Sequence, residues 1–257
     1  MSTSKKKCLE LAVYAGEIML KNGAETYRVE DTIIRICRVY DILSVEPFVT
    51  PTGIFVSINE NDDNDSVSII KRIKSRTIDL NKISKVNDLS RKLSTLSFED
   101  GLELLKKIDS IPKYHKALKA ACAGLASAFF GILLGALLRD VFVAFFISII
   151  VYMMVSLVEG LNANQFIQNA IGGATASCLA ILSIVLNLGT DIDKVIISSI
   201  MILLPGVAIT NAVRDSISGD LISGLARATE AFIIAISIAV GVGIVMNIWI
   251  HLMGGIL

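Results

Sequence analysis

Histidine is nearly missing from this chain, with His115 and His251 alone among 257 residues. Cysteine is scarce too: Cys8, Cys37, Cys122 and Cys178 stand far apart, with no Cys-x-x-Cys and no histidine cluster beside them. Zinc-site and disulfide-framework readings lose their support, so neither a metal nor a cofactor is expected and free, buried thiols are. Net charge is absent, because 24 Lys and Arg balance 24 Asp and Glu, and with it goes the basic field that nucleic-acid binding needs. A secretory leader is not expected either. The basic start MSTSKKKCLELAVYAG has no uninterrupted apolar core, since Glu10, Glu17 and Lys21 recur through it. The acidic run NENDDND at 59–65 lacks the EF-hand spacing and closing Glu, and reads as a solvated hairpin turn.

What is present is apolar. Hydrophobic residues make up 53% of the chain and mean hydropathy is +0.67, well above an ordinary soluble domain. Charge is confined instead: residues 1–116 hold 19 of the 24 Lys and Arg and 17 of the 24 Asp and Glu. The fold class expected is an α-helical polytopic membrane protein of five transmembrane helices behind an N-terminal cytosolic α+β domain, divided as 1–116 and 117–257.

In the first part, Leu9, Ala12, Val13, Gly16, Met19 and Leu20 recur at helical spacing up to the stop signal Asn22-Gly23. A second helix follows with Thr26 as its cap and Val29, Ile33 and Ile36 as its buried stripe, the two forming a hairpin. The period then drops to two over 45–50, 53–59 and 66–73, which predicts a small antiparallel sheet, and helical spacing returns over 80–93 and 98–108.

In the second part, 117–138 and 141–158 are each long enough to span, and Arg139-Asp140 would form their whole connection at the far surface. Further spans are expected over 166–188, 195–213 with a bend at Pro205, and 225–250. Lys113, Lys116 and Lys119 before the first span place the N-terminus in the cytosol. Small residues crowd these helices, among them Gly124, Ser127, Gly131, Gly172, Gly173 and Gly241, so they should pack closely against each other, a partner or further copies.

Two stretches could carry chemistry. LLPGVAITNAVRDSISGDLISGLARATEA sets Asn211, Arg214, Asp215, Asp220, Arg227 and Glu230 between apolar runs. A charge near the bilayer centre costs at least ~2.5 to 3.5 kcal/mol, so such groups face a cavity, a partner or the interface. Pro205 and Gly206 should break the helix that carries them, leaving free ends able to hold charge. The bland reading of Arg214, Asp215 and Asp220 is a cytoplasmic loop. The other stretch, NGAETYRVEDT, gathers Gly23, Glu25, Arg28, Glu30 and Thr32 around a helix start. Glu25 and Glu30 could do acid/base work only if their pKa values were pushed apart; capping and helix-surface pairing are the plainer account.

These stretches, together with PTGIFVSI at 51–58, closely resemble the threonine/serine exporter (ThrE) family over about residues 8–250. Full-length members carry a cytosolic domain and ten spans. The chain resembles only the first half, the five-span YjjP-like component, which works beside a second small membrane subunit (YjjB-like). The resemblance implies export of threonine and serine, or of succinate in the split form, and a multi-pass place in the cytoplasmic (inner) membrane of a prokaryote. It also carries a suggested hydrolase-like role for the soluble domain. No enzyme is expected, because neither Cys8 nor Cys37 has an obvious base and no histidine lies in that domain proper. The reading is a proton-driven exporter component: Arg214 or Arg227 meets the substrate carboxylate, Asn211 orients it, and Asp215 or Glu230 carries the proton. The alternative is a membrane-anchored hydrolase-like or regulatory subunit.

Overall fold

The computed structural model describes residues 2–60, 65–161 and 163–253. The middle of the expected acidic turn, residues 61–64, lies outside them. Contacts divide the chain into two compact units, Met1–Pro112 with Val207–Ala228, and Lys113–Gly206 with Thr229–Leu257. The segment 207–228, which a division after residue 116 leaves with the spans, groups with the N-terminal residues.

In the first unit, α1 (Ser2–Lys21) and α2 (Thr26–Val39) form a hairpin. Gly23 sits at φ +93°, and the amides of Gly23 and Ala24 donate to the carbonyls of Leu20 and Met19. That is the Schellman stop that Asn-Gly signals, open to glycine because a Cβ is strained at positive φ. Antiparallel strands β1 (Val45–Thr50), β2 (Gly53–Glu60) and β3 (Asp65–Arg72) follow in sheet order β1-β2-β3, with Val49 opposite Ile54 and Val56 opposite Ile69. Their inward residues Val49, Ile54, Val56 and Ile58 join Leu9, Ile18, Val29, Ile33 and Ile36 in one core. Burying each is worth about 1.5 to 3 kcal/mol. Helices α3 (Leu80–Lys92) and α4 (Phe98–Asp109) close it, capped by the side chains of Asp79 and Ser97. Glu17, buried on α1, pairs with Lys21 and with Lys71 of β3 and ties the sheet to the helix.

In the second unit, α5 (Lys116–Leu133), α6 (Leu138–Gly160) and α7 (Gln165–Val185) are long and apolar enough to cross a membrane. The same holds for α10 (Leu221–Met253), whose greater part lies in this unit. The expected fourth span is broken: α8 (Ile192–Ile200) runs into a 3-10 turn, Met201–Leu203, and α9 (Gly206–Ile217) starts anew. Among the described residues there are four candidate spans, or five if the broken pair is one. Leu204 stands extended at ψ 137° because the ring of Pro205 excludes the helical conformation from the residue before it.

The first two spans are joined differently from expectation. Residues 134–137, with Gly135 at φ +68°, make the connection, and Arg139 and Asp140 fall in the first turn of α6. Asp140 is 1% exposed: its carboxylate accepts from the Thr190 amide and hydroxyl, both at 2.6 Å, and from the Asp191 amide. A short acid facing two free amides is stabler as the clamp of that loop than as a solvated turn. All four cysteines are free, and Cys122 and Cys178 are exposed on their helices, whereas Cys8 and Cys37 are buried as expected. Phe129, Phe142 and Phe146 point outward, while Phe145 lies over Gly124.

The helices touch where side chains are missing. A Cβ on Gly173 would stand 2.6 Å from the Ile238 carbonyl oxygen of α10, and one on Gly241 would collide with the Ala170 carbonyl of α7. Gly243, two residues on, has open space. Gly241→Ala should therefore lower the thermal midpoint of the detergent-purified chain, whereas Gly243→Ala should leave it within error or raise it, helix propensity favouring alanine by about 1 kcal/mol.

Candidate functional site

The two stretches singled out in the sequence meet in the first unit. Asn22-Gly23-Ala24 ends α1, and Ser218-Gly219-Asp220 ends α9 in the same way, with Gly219 at φ +94° and the amides of Gly219 and Asp220 donating to Ser216 and Asp215 carbonyls. These turns bring five side chains of 207–228 onto the backbone and side chains of residues 23–26. The Asn211 amide donates to the Gly23 carbonyl at 2.9 Å, and Arg227 Nη2 to the Ala24 carbonyl at 2.7 Å. Arg214 Nη1 pairs with Glu25 Oε1 at 2.5 Å, and Arg28 flanks the same carboxylate at 3.4 Å.

Asp215 lies at the centre with no exposed surface. Its Oδ1 accepts from the Thr26 amide at 3.1 Å and from the Thr26 hydroxyl at 2.9 Å. Its Oδ2 stands 2.9 Å from Arg227 Nε, a charge contact short of a directed hydrogen bond. The Thr26 hydroxyl also reaches Asp220 Oδ2 at 3.1 Å, so one proton serves two carboxylates. Thr26 is thus not the cap of α2. Glu25 holds the N-cap position without a side-chain bond, and the cap is supplied by Asp215, a helix N-terminus being where amide N–H groups and the dipole favour an anion.

The carboxylates around this centre do not titrate alike. Burial pushes Glu25 up, but its own backbone N–H and the Arg214 and Arg28 guanidiniums outweigh this and hold it below the usual carboxylate range. Glu30 is pushed up, first by burial and then by the charges of Asp220 and Asp215, against the pull of the Val49 amide that donates to it at 2.8 Å. The divergence that acid/base use of this pair requires is present, yet each has its own structural partner. The Thr32 hydroxyl bonds back to the Arg28 carbonyl.

Of the residues expected to handle substrate, Asn211, Arg214, Asp215, Asp220 and Arg227 are brought together. Glu230 stands one turn further along α10, half-buried and engaged with a neighbour. Pro205 and Gly206 lie at the start of α9. Sequence reasoning named both stretches but did not pair them. The Asn-Gly and Ser-Gly-Asp stops carried the only signal, since each leaves carbonyls and amides free to be bridged. It also missed Asp140, and Ser127 and Ser148, whose hydroxyls donate to the Ser198 and Ser199 carbonyls near the end of α8 at 2.8 and 3.3 Å.

Several helices fit to cross a bilayer, one broken at a proline, define a polytopic membrane protein. Comparison with known proteins takes this further: residues 10–249 match the family described as "Putative threonine/serine exporter", and the chain belongs to this ThrE family. It is 24% identical over 242 residues to a "Probable threonine/serine exporter" of Mycobacterium tuberculosis, covering 92% of this chain and 45% of that protein. It is 23% identical to the "Threonine/serine exporter" of Corynebacterium glutamicum, covering 92% of this chain and 50% of that one. The "Probable succinate transporter subunit YjjP" of Klebsiella aerogenes is also 23% identical, over 94% of this chain and 92% of its own length. The chain thus spans about half of the two exporters and nearly all of the subunit. No solved structure matches it.

Two outcomes test the site. Arg227→Ala strands Asp215 without its counter-charge and should cost about 3 to 5 kcal/mol of stability, part of which Arg227→Ala/Asp215→Ala should restore in a double-mutant cycle. For Glu25, a carboxylate held below its ordinary range adds stability that is present above that range and lost as pH falls through the folded value. Arg214→Gln should therefore lower the neutral plateau of the stability profile slightly and make its fall toward acid pH shallower, the two proteins converging where Glu25 is protonated.

Proposed function

We propose that this chain is one component of a proton-driven exporter for small amino or organic acids, in the cytoplasmic membrane of a prokaryote with its N-terminus in the cytosol. It works with a second small membrane subunit that supplies the remaining spans. Family membership supports export, and half-length coverage of the two exporters supports the need for a partner. The relatives' names divide between threonine or serine and succinate; what these acids share is a carboxylate.

The observation that carries the residue assignment is the polar cluster built by Asn211, Arg214, Asp215, Asp220 and Arg227 on residues 23–26. Arg214 is half exposed and pairs with Glu25, so a substrate carboxylate can compete for it, with Asn211 orienting the substrate. Asp215 and Arg227, fully covered, keep the turn in shape, and the break at Pro205-Gly206 lets it move. Glu230, on α10 beside the last apolar run, carries the coupled proton, an ionisable group beside an apolar run being costly to keep there without a use.

In proteoliposomes holding both subunits, Arg214→Gln should raise KM for the acid at least about tenfold while changing stability by no more than ~1 kcal/mol, as for an exposed ion pair. An unchanged KM removes Arg214 from substrate binding. Glu230→Gln should abolish pH-driven efflux and spare counterflow of labelled threonine, serine or succinate; efflux that still follows the pH gradient removes Glu230 from the proton's path.

A second reading draws on the same cluster. Asp215 and Arg227 are spent on each other, on Thr26 and on Ala24, as in a latch of a regulatory subunit. Equal transport rates by the partner subunit with and without this chain would favour it.

A further inference from the structure

A groove of about 490 Å³ runs between α5 and α6, within the range of roughly 300 to 1,000 Å³ that ligand sites occupy. Its α5 side is made of Ala117, Ala120 and Ala121, and Ile149, Met153 and Leu157 stand one turn apart along the α6 side. The polar groups are confined to one end. Gly124 packs on Phe145, and antiparallel running from that contact sets Lys116 level with Tyr152 and Met153, with Ser156 a turn beyond; all of these line the groove. Lys113 and Lys116 are exposed and Lys119 half-buried at this end, against the single exposed carboxylate of Glu159. The groove is therefore an apolar trough, deep because its alanines reach no further than Cβ, that finishes at a cationic rim.

We propose that this groove binds one anionic phospholipid, with an acyl chain along the alanine side and the headgroup phosphate at Lys116, in the field of Lys113. In a bilayer an acyl chain gains little hydrophobic free energy by leaving other chains for a groove, so selectivity must come from the headgroup, and basic pockets between spans supply that selectivity. A protein helix laid in the groove would cover Lys116 without neutralising it, whereas a phosphate pairs with it. Lipid binding needs no transport, so its readout stands apart from the exporter reading, and only the cross-linking arm below rests on that reading's second subunit.

The test is native mass spectrometry of the purified full chain with dioleoylphosphatidylglycerol against dioleoylphosphatidylcholine. The wild type should retain the anionic lipid about fivefold better, the effect of one lysine beside a phosphate. Lys116→Glu should abolish that preference while leaving total lipid retention, and Ala120→Phe should fill the trough and reduce both lipids. Equal retention by the wild type, or a preference that survives Lys116→Glu, overturns the proposal. So does an Ala121→Cys cross-link to the second membrane subunit that forms equally with and without the anionic lipid, because the groove is then a protein contact.

Discussion

A carboxylate shut away from water is tolerable only if other charges meet it, and Asp215 is such a group. Desolvating an ion costs several kcal/mol, which here must be offset by the Arg227 guanidinium, the Thr26 hydroxyl and the amide end of α2 acting together. Residues near the start of the chain and residues nearly two hundred positions later are thereby made parts of one folded body, and the N-terminal unit is incomplete until 207–228 has been synthesised. A fragment ending near residue 116 would leave the amide end of α2 without its cap. It would be a poor stand-in for the native unit.

The second unit is held on other terms. Lipid chains are as apolar as leucine, so burial does little to bring spans together, and close approach with hydrogen bonds must do it. Gly124, Gly172, Gly173 and Gly241 remove the side chains that would keep backbones apart, and Ser127 and Ser148 aim hydroxyls at carbonyls of α8. The small patch of bulky core, Ile147, Val151, Val195 and Ile196, fills the space between these contacts.

Periodic features were readable in the sequence because each residue there does the same thing. The β strands fall within a residue or two of the expected ranges, and the helices of the first unit follow their apolar stripes. The break at Pro205 was readable because a proline acts on its own neighbours. What was illegible is what depends on distant partners. Thr26 looks like a cap from its neighbours and is instead a donor to Asp215, and Asp140 looks like a loop residue until Thr190 and Asp191 are beside it. The charges of 207–228 were marked as costly in an apolar setting, but nothing local tells that their partners are the backbone of Gly23 and Ala24.

Helix α8 is tied at both ends. Above, Asp140 grips Thr190 and Asp191, and Lys194 reaches the Gly135 carbonyl; below, two serines grip its last carbonyls. Such a segment behaves as a fixed post. The helical ladder ends at the extended residue Leu204 and at Pro205, which has no amide to donate. The break that Pro205 imposes thus falls just past the point where the anchoring of α8 stops.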